Sequence, residues 1–128
     1  MAYAEPVASY ESIPGLEHVY LEDSWVLGVF ESAASLSFDL EAVLTEQHPQ
    51  WEPRKPGEQY TYRRLWLTFP NVRRVEWLDR GGPPAVYATG ERDWGIIDTF
   101  AADADTYELT GDWGHVRVES DPPQVQDR

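Results

Sequence analysis

One stretch of the chain decides the fold: LSFDLEAVL over residues 36–44, a proline-containing loop over residues 46–59, and YTYRRLWLTF over residues 60–69. In the first arm every second residue is apolar, namely Leu36, Phe38, Leu40, Ala42 and Leu44. A period of two is typical of a half-buried antiparallel strand. The second arm is rich in aromatic and β-branched residues and is equally strand-like. The two arms therefore predict a long β-hairpin.

The rest of the chain contains further short strand-like runs, separated by turn signals about every ten residues. These runs cover residues 16–21, 24–30, 72–77, 85–88, 96–100, 107–109 and 113–118. Gly28 interrupts one run and indicates a bulge or a close backbone approach. Gly111-Asp112 is a hairpin signal. The sequence predicts an all-β fold, an antiparallel meander that forms a sandwich or a strongly curved, partly closed barrel.

The chain of 128 residues, 41% of them hydrophobic, is long enough for one domain with an ordinary core. Residues 1–15 contain two prolines and little periodicity, which predicts a flexible or loosely docked N-terminal arm. Residues 16–119 are predicted to form the single β domain. Residues 120–128 contain two prolines and almost no apolar side chain, so we expect a disordered tail there.

The net charge of −13 is unevenly distributed. Residues 1–53 contain ten acidic side chains and no Lys or Arg, and residues 54–80 contain seven basic and three acidic ones. Such an acidic surface argues against binding to nucleic acid or to an anionic membrane. The arginines of the middle segment are expected to pair with acids across strands. An anion site or a self-association surface on these strands are alternatives, so a monomer and a homodimer both remain open.

The absence of Cys excludes disulfides, thiol catalysis and thiolate metal sites. No apolar run is long enough to span a bilayer, and the N-terminus lacks the pattern of a signal peptide. We therefore expect a cytoplasmic protein. No Gly-x-Ser-x-Gly elbow, Walker loop or dinucleotide fingerprint is present, so no catalytic residue and no cofactor are predicted.

The loop over residues 46–59 is the best candidate for a ligand site, because loops of this length are often functional. The candidate ligand-binding residues are His48, Trp51, Glu58, Tyr60, Tyr62 and Arg64. A metal site is not expected, since catalytic zinc sites usually supply three protein ligands. In the structural alternative, His48 bonds the loop backbone and Trp51 packs as part of a lid.

The pattern Asp-Trp-Gly occurs twice, around Trp94 and around Trp113. Asp accepts backbone hydrogen bonds in turns and Gly permits a positive φ, so a structural role is one interpretation. If both rings are exposed, they are candidate contacts for a protein partner or a sugar.

Several segments together resemble a group of small uncharacterised bacterial proteins. They are Asp23-Ser-Trp-Val-Leu-Gly28, His48-Pro-x-Trp-x-Pro-x-x-Pro-Gly-Glu58-x-Tyr-x-Tyr-Arg-Arg64, Phe69-Pro, Val75-Glu-Trp77 and Tyr107-x-Leu-x-Gly-Asp-Trp-Gly114. The resemblance covers residues 16–119 and implies no activity, cofactor or site residue. In size, acidity and β content the chain is also loosely similar to toxin-neutralising immunity proteins.

The sequence favours a non-catalytic acidic binding protein that recognises another, basic protein, because strong negative charge steers a basic partner. The alternative is a small-molecule-binding protein or a small hydrolase with a pocket under the 46–59 loop. That alternative requires a concave pocket and a titratable group with a shifted pKa.

Overall fold

A computed structural model gives the fold, and it describes residues 10–53, 56–57, 61–81, 85–86, 88, 90 and 92–127. The all-β prediction is confirmed. Two antiparallel four-stranded sheets pack as a sandwich and do not close into a barrel in this part of the chain. The strands are β1 Val19–Glu31, β2 Leu36–Leu44, β3 Thr61–Phe69, β4 Arg74–Asp79, β5 Ala85–Val86, β6 Arg92–Asp93, β7 Ile97–Asp103, β8 Thr106–Gly111, β9 Gly114–Glu119 and β10 Gln124–Asp127.

The first sheet has the order β1-β2-β3-β10, and the second has the order β4-β9-β8-β7. Strands β5 and β6 form a separate short pair. The predicted hairpin is the centre of the first sheet, with β2 and β3 in register from Leu36 opposite Phe69 to Leu44 opposite Thr61. As the alternation predicts, the apolar residues of β2 are buried on one side.

The core between the sheets consists largely of aromatic rings. Phe38 lies 5.0 Å from Trp113 between ring centroids, and Phe69 lies 5.3 Å from Tyr107. Phe69 also packs against Phe100, on the edge strand β7. Ring pairs at these distances add to the free energy gained from burial alone. The aromatic content of the sequence is therefore used mainly to join the two sheets.

Strand β1 is continuous where the sequence predicts two strands and a turn. The predicted turn at residues 22–24 is a bulge, in which five residues of β1 advance while β2 advances by two. Ser24 stabilises it, because its buried hydroxyl accepts the Val43 N–H and donates to the Tyr20 carbonyl, both at 2.8 Å. A second register shift follows between Val26 and Gly28, as the glycine in this run predicts.

The disordered tail predicted over residues 120–128 is wrong for residues 124–127, which form strand β10 beside β3. The composition of the tail is poor in apolar residues, but strand pairing depends on backbone hydrogen bonds that any non-proline residue supplies. Two further contacts fix the segment. Val125 packs against the core, and Asp127 accepts two hydrogen bonds from the Arg63 guanidinium.

The end of the predicted N-terminal arm is docked on the sandwich. Tyr10 stacks on Phe100 at 6.0 Å, and its hydroxyl accepts the Leu21 N–H. Ile13 and Leu16 are buried, whereas residues 1–9 lie outside the described part of the chain. No helix among the described residues is long and apolar enough to cross a membrane.

Candidate functional site

The beginning of the 46–59 loop is held by turns of its own backbone. The His48 N–H donates to the Thr45 carbonyl at 2.9 Å, and the Trp51 N–H donates to the His48 carbonyl at 3.0 Å. The Gln50 N–H donates to His48 Nδ1 at 3.0 Å. Because Nδ1 accepts this bond, the neutral imidazole carries its proton on Nε2. The His48 ring is thus oriented by the loop itself.

His48 also lines a cleft of about 490 Å³ at one end of the first sheet. The other walls come from the segment before β1, which supplies Glu17 and His18, and from β3 and β10, which supply Leu65 and Asp127. This volume lies within the range of about 300–1,000 Å³ that is usual for small-ligand sites. A concave feature near this loop is what the alternative of a small-molecule-binding protein requires.

Three titratable groups of the cleft have shifted pKa values. Burial lowers the pKa of His48, and the positive charges of His18 and Arg63 lower it further. The pKa of Glu17 is lowered by the backbone N–H groups of Glu17 and Gly15. The Arg63 guanidinium lowers the pKa of Asp127. At neutral pH the His48 side chain is therefore neutral, Glu17 and Asp127 are carboxylates, and Asp127 is paired with the Arg63 guanidinium.

Two carboxylates of this cleft make contacts within the chain, since Glu17 accepts the Gly15 N–H at 2.8 Å and Asp127 is paired with Arg63. Its described lining includes no Ser, Thr, Cys or Tyr that could act as a nucleophile. Among the described residues there is also no group of three or more His, Asp or Glu that could hold a metal ion.

Tyr62 and Arg64 do not face this cleft. They alternate along β3 with Arg63 and Leu65, so they lie on the opposite, outward side of the first sheet. Arg64 donates to the buried Asp39 carboxylate at 3.2 Å. The structure therefore separates His48 from two of the residues that the sequence groups with it. Glu58 and Tyr60 lie outside the described residues.

The tryptophans singled out in the sequence are mainly packing residues. Trp51 and Trp94 are partly buried against the core. Trp113 is only 2% exposed, and its Nε1 donates to the Ile96 carbonyl at 3.1 Å. The Gly95 N–H donates to Asp93, which is the turn role expected for Asp in this pattern. The ring of Trp113 is an interior side chain in this structure, so it offers no surface to a partner.

The predicted pairing of arginines with acids across strands is observed for Arg63, Arg64 and Arg73. Arg74 pairs with Glu76 of its own strand, and Arg54 lies outside the described residues. Ion pairs within 4.0 Å involve Arg63, Arg64, Arg73, Arg74, Arg80 and Arg117. Arg73 alone contacts Asp105, Glu119 and Asp121. Seven exposed acids take part in no ion pair within the described part of the chain, namely Glu17, Glu46, Glu52, Asp79, Asp98, Asp103 and Asp112.

The outward sides of the two sheets have different compositions. We call the outward side of the second sheet the charged face, defined by Glu76, Glu108, His115 and Arg117. Arg117 donates to Glu108 at 3.0 Å and to Glu76 at 3.1 Å, and His115 lies 2.9 Å from Glu108. This face is a network of ion pairs.

We call the outward side of the first sheet the aromatic face. Its members are Tyr20, Trp25, Phe30, Tyr62 and Trp66, with Asp39, Glu41 and Arg64 among them. Three of these rings are well exposed, with 41% for Tyr20, 38% for Trp25 and 54% for Phe30. The Phe30 ring lies over the backbone of Gly28 and meets the edge of Trp66 at 5.6 Å.

Sequence reasoning missed the aromatic face because its rings do not follow a period of two. Tyr20, Trp25 and Phe30 are five residues apart, and an odd spacing places successive residues on opposite sides of a regular strand. Each of the two register shifts in β1 adds an odd number of residues relative to β2. All three rings consequently lie on the same side of the sheet. The available signal was the bulge at Gly28, combined with the aromatic residues flanking it.

No protein-family model, curated protein or solved structure matches this chain. The interpretation of the fold and of its two surfaces therefore depends on their geometry alone.

Proposed function

We propose that this protein is a non-catalytic binding protein that recognises a second protein, and that this partner is basic. The observation that carries the proposal is the distribution of charge in the fold. Six arginines are neutralised by carboxylates of the same chain, while the chain as a whole has a net charge of −13. The negative charge that remains after this pairing therefore interacts with solvent and with a partner.

Four of the acids without an ion-pair partner lie in two regions of the described chain. Glu46 and Glu52 belong to the loop beside the cleft, and Asp98 and Asp103 belong to the edge strand β7. Charges spread in this way raise the rate at which a basic protein encounters the surface, and they repel acidic competitors. These charges favour a partner of positive charge. Recognition of one particular basic protein requires, in addition, a surface that is complementary to it.

The state of the cleft supports binding over catalysis. His48 uses Nδ1 for a backbone hydrogen bond, and Asp127 is held by Arg63. A general base needs a free acceptor within reach of its substrate. His48 has no free acceptor in this tautomer, and Asp127 is a weak base because the Arg63 guanidinium lowers its pKa.

The proposal is tested by immobilising the protein and passing over it an extract of the cells that produce it. The retained protein should be basic. For the purified pair, the association rate constant should fall at least about tenfold between roughly 50 and 500 mM salt, because salt screens the attraction. A variant with Glu46→Gln, Glu52→Gln, Asp98→Asn and Asp103→Asn should associate more slowly than wild type. A matched variant with Gln47→Asn and Gln50→Asn, which keeps every charge, should associate at the wild-type rate.

Two results would contradict the proposal. One is that no protein is retained at either salt concentration. The other is that the retained protein is acidic, or that its association rate does not depend on salt.

A further inference from the structure

We infer that the aromatic face is the docking surface for the basic protein partner, an inference that rests on the proposed function and adds the place of contact. The surface is centred on Trp25 and Phe30 of strand β1, and its floor is the ion pair between Asp39 and Arg64.

The strongest observation is the way in which β1 is built. A regular strand would send Trp25 to the side opposite Tyr20 and Phe30. Two register shifts, one on each side of Trp25, bring the three rings to one side. Bulges locally disrupt the hydrogen-bonded ladder and often serve to re-aim a side chain. Here both bulges bring large rings to the outward side, where Trp25 remains 38% and Phe30 54% exposed.

The rings form a row along the sheet. The positions opposite them on β2 are Val43, Glu41 and Ser37, a distance of six residues. At about 3.3 Å per residue the row is therefore about 20 Å long. Tyr62 and Trp66 lie on the same side of the sheet, on β3, which is separated from β1 by strand β2. A patch of this length that contains two Trp, two Tyr and one Arg has the composition of energetically dominant regions of protein interfaces.

The Phe30 ring is held in place before any partner arrives. It covers Gly28 so closely that a Cβ there would lie 2.7 Å from the ring, and it also contacts Trp66. A ring that is ordered in the free protein loses little conformational freedom on binding. The ring is 54% exposed, so the side-chain cation of a Lys or Arg can approach it.

The charges around the row favour a basic protein over a second copy of this chain. Asp23 lies in the bulge between Tyr20 and Trp25, and Glu41 lies opposite Trp25. With Asp39 these carboxylates outnumber the guanidinium that Arg64 contributes to the face. Two copies meeting here would bring like charges together, each on a chain with a net charge of −13. A basic protein supplies the complementary cations.

Photo-cross-linking tests the inference even while the identity of the partner is unknown. Benzoylphenylalanine is placed in the full chain at position 30 on the aromatic face, at position 50 beside the cleft, or at position 99 on strand β7. The cells that produce the protein are irradiated, and the adducts are identified by mass spectrometry. We expect an adduct with a basic protein at position 30 and none at position 99.

A second substitution shows whether the adduct depends on the face. Trp25→Ala should lower the yield at position 30 at least about tenfold, as expected for an interface anchor. The matched control is Leu78→Ala, which removes another exposed apolar side chain in strand β4 and should leave the yield unchanged. Circular dichroism confirms that each variant is folded.

The remaining outcomes distinguish failure of the docking surface from failure of the proposed function. A basic partner that is cross-linked at position 50 or 99 but not at position 30 would overturn the docking surface and keep the proposed function. An adduct only with a second copy of the chain, or no protein adduct at any position, would overturn both. Equal loss of yield in the Trp25→Ala and Leu78→Ala variants would also overturn the docking surface.

Discussion

The two outward faces of this sandwich differ in the side chains that they expose to solvent. On the charged face Arg117 connects Glu76 and Glu108, and His115 contacts Glu108 as well. On the aromatic face the ion pair between Asp39 and Arg64 lies among rings that remain exposed. The charged face satisfies its polar groups within the chain. The aromatic face leaves apolar surface in contact with water, which is the usual mark of an interaction surface.

The difference also concerns how deeply the charges are placed. The side chain of Asp39 is 7% exposed, whereas those of Glu76 and Glu108 are 36% and 38% exposed. Solvent screens an exposed pair strongly, and a buried carboxylate depends on its partner much more. We therefore expect the Asp39–Arg64 pair of the aromatic face to matter more for stability than any one pair of the charged face.

The largest expected effect follows from this contrast. Asp39→Asn removes the charge that Arg64 contacts and should lower the free energy of unfolding by about 2 kcal/mol, as expected for a charge-assisted bond to a buried group. Glu76→Gln makes the same chemical change on the charged face and should lower it by less than about 1 kcal/mol. Urea denaturation of both variants measures the two values. If the loss for Glu76→Gln equals or exceeds that for Asp39→Asn, the contrast between the faces is wrong.

A smaller effect is expected at Gly28, where the Phe30 ring lies against the backbone. Gly28→Ala should displace the ring from Trp66 and change the free energy of unfolding by about 1 kcal/mol or less, because an exposed ring can swing into solvent. The nuclear Overhauser effects between Phe30 and Trp66 should disappear. Phe30→Leu serves as the companion variant, since it removes the ring and leaves Gly28 unchanged. Persistence of the ring contact in Gly28→Ala would show that Gly28 does not position Phe30.

Much of the fold could be predicted from the sequence because the inner face obeys a simple period. The alternating residues of β2 and the aromatic second arm predicted the central hairpin, and in the structure β2 pairs with β3 without a break from Leu36 to Leu44. Burial enforces this pattern, since a slip by one residue would expose the whole apolar set. Strand β10 escaped prediction because Val125 is its sole apolar residue and its pairing depends on the backbone of β3.

The surfaces were harder to predict than the core. Whether Trp25 points inward or outward depends on two bulges, and these in turn depend on local bonds such as that of Ser24 with Val43. A bulge reverses the side on which every later residue lies, so a small local feature changes the surface as a whole. The cleft next to His48 was expected, but its walls include Glu17 and Asp127, which are far away in the sequence.

The smallest expected effect is the response of the charged face to acid. A hydrogen bond with His115, and then those from Arg117, lower the pKa of Glu108 below its usual value. Because the pKa is lower in the folded state, the pairs stabilise the fold above the pKa of the unfolded chain, and this contribution is lost as the pH falls through the folded pKa. Between pH 7 and about pH 3, Glu108→Gln should therefore lose less stability than wild type, by up to about 1 kcal/mol for an exposed pair. Glu46→Gln, an exposed acid outside the ion pairs, should show the wild-type pH dependence. Urea denaturation at both pH values measures the difference, and an unchanged pH dependence in Glu108→Gln would mean that the network on the charged face does not stabilise the fold.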